Sequence, residues 1–171
     1  MEASTERDAS PKAALVLAGT AVALYAADQV TKWLVVSALA PGESVEVAGD
    51  LVRIWYVQNT GAAFSLFPGA FWLFIPVTVL ALVMVGWFFR SFQARGPWIH
   101  VVLGVILAGT LGNLTDRLRL GYVIDFISVG IGGTRFPTFN VADSAVVVGI
   151  GLLVLYLTFA DGPRRHDEPA A

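Results

Sequence analysis

Four long apolar blocks, at positions 13–36, 71–89, 98–114 and 141–160, leave this chain few ways to fold. A helix rises about 1.5 Å per residue, so about 20 apolar residues cross the hydrocarbon core of a membrane. The second and fourth blocks meet that length directly. The third does so only by running on toward Asp116, and the first is interrupted by Asp28 and Lys32. With 56% hydrophobic and 14% charged residues, the chain is far from a soluble composition. The expected fold is an all-α membrane core of four transmembrane helices. A cleaved leader ending at "LYAAD" is the other reading of the first block. The N-terminal arm lacks a leader's basic excess and apolar character resumes at "WLVVSALA", so the block is expected to stay as a span.

Four antiparallel spans divide the chain into an arm at 1–12, a membrane domain at 13–160 and a tail at 161–171. Arg7, Lys12, Arg90, Arg95, Arg164 and Arg165 then fall on one side of the membrane. Lys32, Arg53, Arg117, Arg119 and Arg135 fall on the other, diluted over two long loops at about 37–70 and 115–140. The positive-inside rule puts both termini in the cytoplasm and the long loops outside. Those loops carry strand signals. "SVEVAGDLVRIWYVQN" reads as a hairpin about a Gly49-Asp50 turn, and "GYVIDFISVGIGGTRFPTF" as strands about a Gly132-Gly133 turn. A small bent β-sheet on the outer leaflet is expected.

The polar residues inside the spans gather at that outer end. An ionised side chain at the centre of a membrane helix costs roughly 2.5–3.5 kcal/mol or more, so each needs a partner or a function. Asp28 and Lys32 stand at i and i+4 in "DQVTKW" and read as a neutralising pair. "GNLTDRL" puts Asn113 and Arg117 on one helix face, with Asp116 about 100° round from Arg117. Asp116 reads as a structural ion pair near the surface, and Arg117 as a holder of a carbonyl or phosphate. Asn59 in "NTGAAF" offers an amide to a peptide, or simply a turn. Asp125 in "GYVIDFI" is an outward strand residue or a functional acid. Asp143 in "FNVADSA" complements a helix N-terminus that Asn140 caps, or it is a functional acid too. A hairpin between them folds Asp125 back over Asp143. Two carboxylates about 3 Å apart do not both ionise, so they share a proton. One then acts as base on a water while the other donates to a carbonyl oxygen.

Other chemistries lack their parts. The net charge is −2 and no basic stripe marks a nucleic-acid partner. There is no Cys, hence no disulfide, thiolate nucleophile or Cys-ligated metal. His100 and His166 are the only histidines and no HExxH occurs, so no metal is expected. There is no GxSxG, and a Ser–Lys dyad would need Lys32 with no indicated Ser partner.

The ordered set "DQVTKW", "NTGAAF", "GNLTDRL", "GYVIDFI" and "FNVADSA" resembles the lipoprotein signal peptidase (signal peptidase II) family over about 13–160. The resemblance implies a monomeric aspartyl endopeptidase of the bacterial inner membrane, needing no cofactor. Its substrates would be diacylglyceryl-modified prolipoproteins embedded in membrane lipid, cut before the lipidated Cys. It implies Asp125 and Asp143 as the catalytic pair, and Asn59, Asn113, Arg117 and Asn140 as substrate-binding residues. Asp28, Lys32 and Asp116 would support the site. Two readings compete. A small carrier with a proton or cation path would spread its acids through the membrane depth, whereas these lie at one end. A scaffold subunit would be indifferent to Asp125. If the aspartyl reading holds, cleavage of a lipidated precursor by purified protein survives EDTA. Loss of activity restored by zinc would overturn it.

Overall fold

The computed structural model describes residues 10–61, 71–131 and 133–160. The N-terminal arm before Ser10, the tail, Gly132, and Ala62 to Phe64 of "NTGAAF" lie outside the described residues. Helix α1 spans Pro11–Ala38, α2 Phe71–Ser91, α3 Pro97–Leu120 and α4 Val141–Ala160. All four are long and apolar enough to cross a membrane. Pro11 and Pro97 start α1 and α3 from their first turns, where a missing N–H costs nothing. Helix α3 runs past its apolar block to Leu120 and stops at Gly121, whose φ of 80° suits a left-handed cap. The loop expected from 115 therefore starts only at Gly121. Asp116, Arg117 and Arg119 ride on a helix.

Helix α3 is the central one. Ile99, Val102, Leu103 and Ile106 are buried against Val85 of α2 and Leu153 of α4. The other helices show apolar side chains such as Leu15, Val83 and Val147 outward, as lipid-facing surfaces do. Lipid gives helices no hydrophobic reason to associate, so close packing must hold them. Small residues on α3 permit it. A Cβ on Gly104 would lie 2.7 Å from the Leu17 carbonyl oxygen of α1.

Strands β1 Ser44–Ala48, β2 Val52–Asn59, β3 Val123–Ile131 and β4 Thr134–Arg135 form one antiparallel sheet in that order. The β1–β2 hairpin turns at Gly49, φ 54°. The β2–β3 ladder joins the two long loops, with Val57 opposite Asp125 and Asn59 opposite Val123. Tyr56, Ile124 and Phe126 bury one face against Val35 of α1. Arg135 ties the far end together, donating to Ser128 Oγ at 2.7 Å and to the Asp50 carbonyl at 2.8 Å. The sheet thus covers the end of the bundle where α1 and α3 finish and α4 begins.

Gly104→Leu forces α1 and α3 apart along their contact. We expect a loss of about 1–3 kcal/mol, the usual cost of overpacking. It should appear as a lower unfolding temperature in detergent than that of Gly19→Leu, where no atom lies within 4 Å of the added Cβ.

Candidate active site

Lys32 is the hub of the covered end. Its ammonium lies 2.9 Å from Asp28 Oδ2 and 2.8 Å from Asp116 Oδ2 and donates to Asn113 Oδ1 at 3.1 Å. All three charged residues are at most 3% exposed. The expected Asp28–Lys32 pair is present, but Asp116 joins it, and the group is buried rather than near the surface. Gln29 adds an amide that donates to Asp28 Oδ2 at 3.1 Å and Asp116 Oδ1 at 3.3 Å. Helix α3 comes this close because Gly112 has no side chain: a Cβ there would lie 2.6 Å from Asp28 Oδ2.

The two aspartates of this hub each hold another element. Asp28 Oδ1 accepts the Ala142 N–H at 2.9 Å, and Asp116 Oδ2 accepts the Ile124 N–H at 3.2 Å. The first fixes the start of α4, the second the start of β3. Asn140 completes the cap of α4. Its Oδ1 accepts the Asp143 N–H at 2.8 Å, while Asp143 Oδ2 accepts the Asn140 N–H at 3.1 Å. This reciprocal capping box pins the Asp143 carboxylate at the helix N-terminus, where negative charge is favoured.

Asn140 also faces the other acid. Its Nδ2 donates to Asp125 Oδ1 at 2.8 Å and to Asn113 Oδ1 at 3.0 Å. Asn59 holds the second Asp125 oxygen at 2.8 Å, diagonally across the β2–β3 ladder. Asn113 in turn donates to Asp143 Oδ1 at 2.7 Å. The sequence therefore brings Asp125, Asp143, Asn59, Asn113 and Asn140 into one network resting on Lys32. Burial pushes the Asp125 carboxyl up to about 6, and the charge of Asp143 pushes the same way. The amides of Asn59 and Asn140 and the Lys32 ammonium pull against that rise.

Arg117 stands apart from the network. It makes a 3.4 Å bond to the Asn113 carbonyl and lies over the Phe74 ring at 4.5 Å. It lines a cavity of about 230 Å³ with Phe74, Thr78, Asn113 and Asp143. A second, apolar well of about 350 Å³ also borders Asp143, walled by Phe136, Phe139 and Val148. Asp143 is half-buried and borders both, whereas Asp125 is 2% exposed. Reading the sequence missed Gln29, Gly112 and Phe74. An amide beside Asp28 inside an apolar span was a usable signal; nothing marked Gly112 or Phe74.

Comparison with known proteins gives a consistent picture. Residues 20–159 match the sequence model of the signal peptidase (SPase) II family. A lipoprotein signal peptidase of Symbiobacterium thermophilum is 40% identical over 147 residues, covering 86% of this chain and 95% of that protein. One from Dehalococcoides mccartyi is 49% identical over 137 residues, covering 77% and 82%. Two solved bacterial membrane enzyme structures superpose with TM-scores of 0.74 and 0.75 at 34% and 32% identity. They cover 82% and 89% of this chain, and 90% and 92% of their own.

Removing the hub cation tests its weight. Lys32→Met leaves Asp28 and Asp116 buried without their counter-charge, and breaking such a pair costs about 3–5 kcal/mol. We expect a steep fall in folded yield and unfolding temperature at neutral pH. Asp28→Asn should fall less, because its amide oxygen still accepts from Ala142. A Lys32→Met protein as stable as the parent would show that the hub does not carry the fold.

Proposed function

Because the chain belongs to the signal peptidase II family, we propose that it hydrolyses its substrate with Asp125 and Asp143 acting on one water. The protein is a multi-pass membrane protease that cleaves the signal peptides of lipoprotein precursors. The proposal extends to the substrate's detail: a diacylglyceryl-modified prolipoprotein, cut before the lipidated Cys. The observation that carries the dyad is Asn140, whose side-chain amide holds Asp125 while its backbone N–H and Oδ1 hold Asp143.

The active form carries one proton on the pair. Asp143 holds the negative charge, supported by its place in the first turn of α4 and by its two donors, Asn113 Nδ2 and Asn140 N–H. Asp125, raised by burial, holds the proton. Asp143 takes a proton from water as its oxygen bonds to the scissile carbonyl carbon. Asp125 gives its proton to the carbonyl oxygen, producing a gem-diol. In the collapse the C–N bond breaks, Asp143 passes its proton to the leaving amine, and Asp125 recovers one from a diol hydroxyl. Both carboxyls return to their starting state. Arg117 and the amide of Asn59 position the chain around the cut. The apolar walls beside Asp143 hold signal-peptide and acyl segments, and the sheet clamps the mature side.

The topology belongs to the same proposal. Arg90 in the last turn of α2 and Arg95 in the short α2–α3 connection favour a cytoplasmic location for that end and both termini. The dyad then works at the outer face of the inner membrane, where water is available. Every group of the dyad comes from one chain, which suits a monomer.

Asp125→Asn and Asp143→Asn should each lower cleavage by about 10²–10⁴-fold, the range of acid–base catalysis, while the protein stays folded. Near-normal turnover by either variant would remove the dyad. The pH profile of kcat/KM should be bell-shaped. A second proton on the pair closes the acid side. Because the folded carboxyl of Asp125 is raised to about 6, its proton is lost above that pH and the rate falls. A plateau at alkaline pH with the protein folded would mean a single general base.

A further inference from the structure

A cavity of about 190 Å³ lies between α1 and α3, lined by Gln29, Trp33, Tyr56, Asp116, Arg119 and Tyr122 among others. It shares no lining residue with the cavity at Arg117 and Asp143. We propose that it holds the headgroup of a membrane phospholipid with a primary ammonium, of the phosphatidylethanolamine class, ammonium inward and phosphate at Arg119.

The inner end favours a cation. Lys32 and Asp116 line that end and Asp28 lies behind them; the three sum to one negative charge, and the Lys32 ammonium is taken up by its three partners. Helices α1 and α3 both end at this level, at Ala38 and Leu120, and helix C-termini favour positive charge. The rings of Trp33, Tyr56 and Tyr122 stand around the cavity, and aromatic faces attract ammonium groups. Hydrogen bonding selects an ammonium with N–H groups. Gln29 gives its amide N–H to the hub, and its Oε1 has no protein donor among the described residues. The hydroxyls of Tyr56 and Tyr122 bond to each other and each receive Gln58 Nε2, at 3.2 Å and 3.0 Å, which leaves acceptor capacity on one of them.

The mouth favours an anion. Arg119 is exposed in the last turn of α3 and has no ion pair or hydrogen bond among the described residues. Trp33 beside it is 65% exposed with its indole N–H likewise unpartnered. A Trp and an Arg at a helix end lie at the depth of lipid phosphates. Exposed Val36 and Leu120 continue the cavity wall as an apolar surface for acyl chains. A headgroup carrying both charges meets both halves. A purely anionic one would set its charge against the inner wall.

The consequence reaches the proposed catalytic centre, because Asp116 holds the start of β3 and Lys32 holds Asn113. The proposal is tested by binding alone, independently of activity. Full-length protein in detergent is equilibrated with equimolar phosphatidylethanolamine, phosphatidylglycerol and phosphatidylcholine, and retained lipid is read by native mass spectrometry. We expect about a tenfold preference for phosphatidylethanolamine, the scale of one hydrogen bond from a charged group. Trp33→Ala should lower retention of phosphatidylethanolamine and phosphatidylcholine, which carry an ammonium, more than that of phosphatidylglycerol, and Arg119→Gln should reduce retention of all three. Both residues are exposed, so neither change threatens folding. In a second arm, phosphoethanolamine should raise the unfolding temperature more than inorganic phosphate or ethanolamine alone. Equal or better retention of phosphatidylglycerol, equal retention of phosphatidylcholine, or no effect of either substitution would each overturn the proposal.

Discussion

One buried cation organises this protein. Lys32 stands inside a membrane-spanning helix at 2% exposure, where an unpaired ammonium would be prohibitive. It is tolerable because Asp28 reaches it from the previous turn and Asp116 and Asn113 reach it from α3. Satisfying the cation therefore requires α1 and α3 to meet at this depth and rotation. A buried ion pair of this kind yields little net stability over apolar packing, yet breaking it is severe. Its value here is register: the charge specifies which faces of two otherwise greasy helices must touch.

That register propagates through hydrogen bonds rather than hydrophobic burial. Asp28 spends its second oxygen on the α4 backbone at Ala142, and Asp116 binds the first paired residues of β3 at Ile124. Helix α4 starts with free N–H groups that lipid cannot satisfy. The same capping that satisfies them aims Asp143. Asn140, itself at 0% exposure, lies at the join: it caps α4, contacts Asn113 and holds Asp125. Helix capping and assembly of the acid pair are one set of bonds.

The sheet contributes the element the helices lack. Asp125 needs a rigid carrier above the entrance of α4, and an isolated two-stranded hairpin is only marginally stable. Pairing β2 with β3 joins two loops distant in sequence and brings Asn59 to Asp125. The Arg135 latch across Ser128 and Asp50 closes the far edge. Tyr56, Ile124 and Phe126 anchor the opposite face of the sheet against α1, which presses Asp125 inward onto Asn59 and Asn140 at 2% exposure, and that burial raises its affinity for a proton.

By itself the sequence determined the membrane class, the four spans, the strand-bearing loops and the short list of acids and amides at one end. Those follow from local physics: apolar length, the need to satisfy backbone groups in lipid, turn residues, and the rarity of charge inside a span. It determined the end of α3 less well: Asn113, Asp116 and Arg117 carry helical spacing, but the run of charge to Arg119 left the expected loop starting at about 115 rather than at Gly121. Tertiary structure alone decided that Asp116 joins Asp28 on Lys32, that Gly112 clears the space for it, and that Asn140 touches both acids. Each of those depends on distances between residues far apart in the chain, set by helix rotation and strand register, which no local pattern encodes.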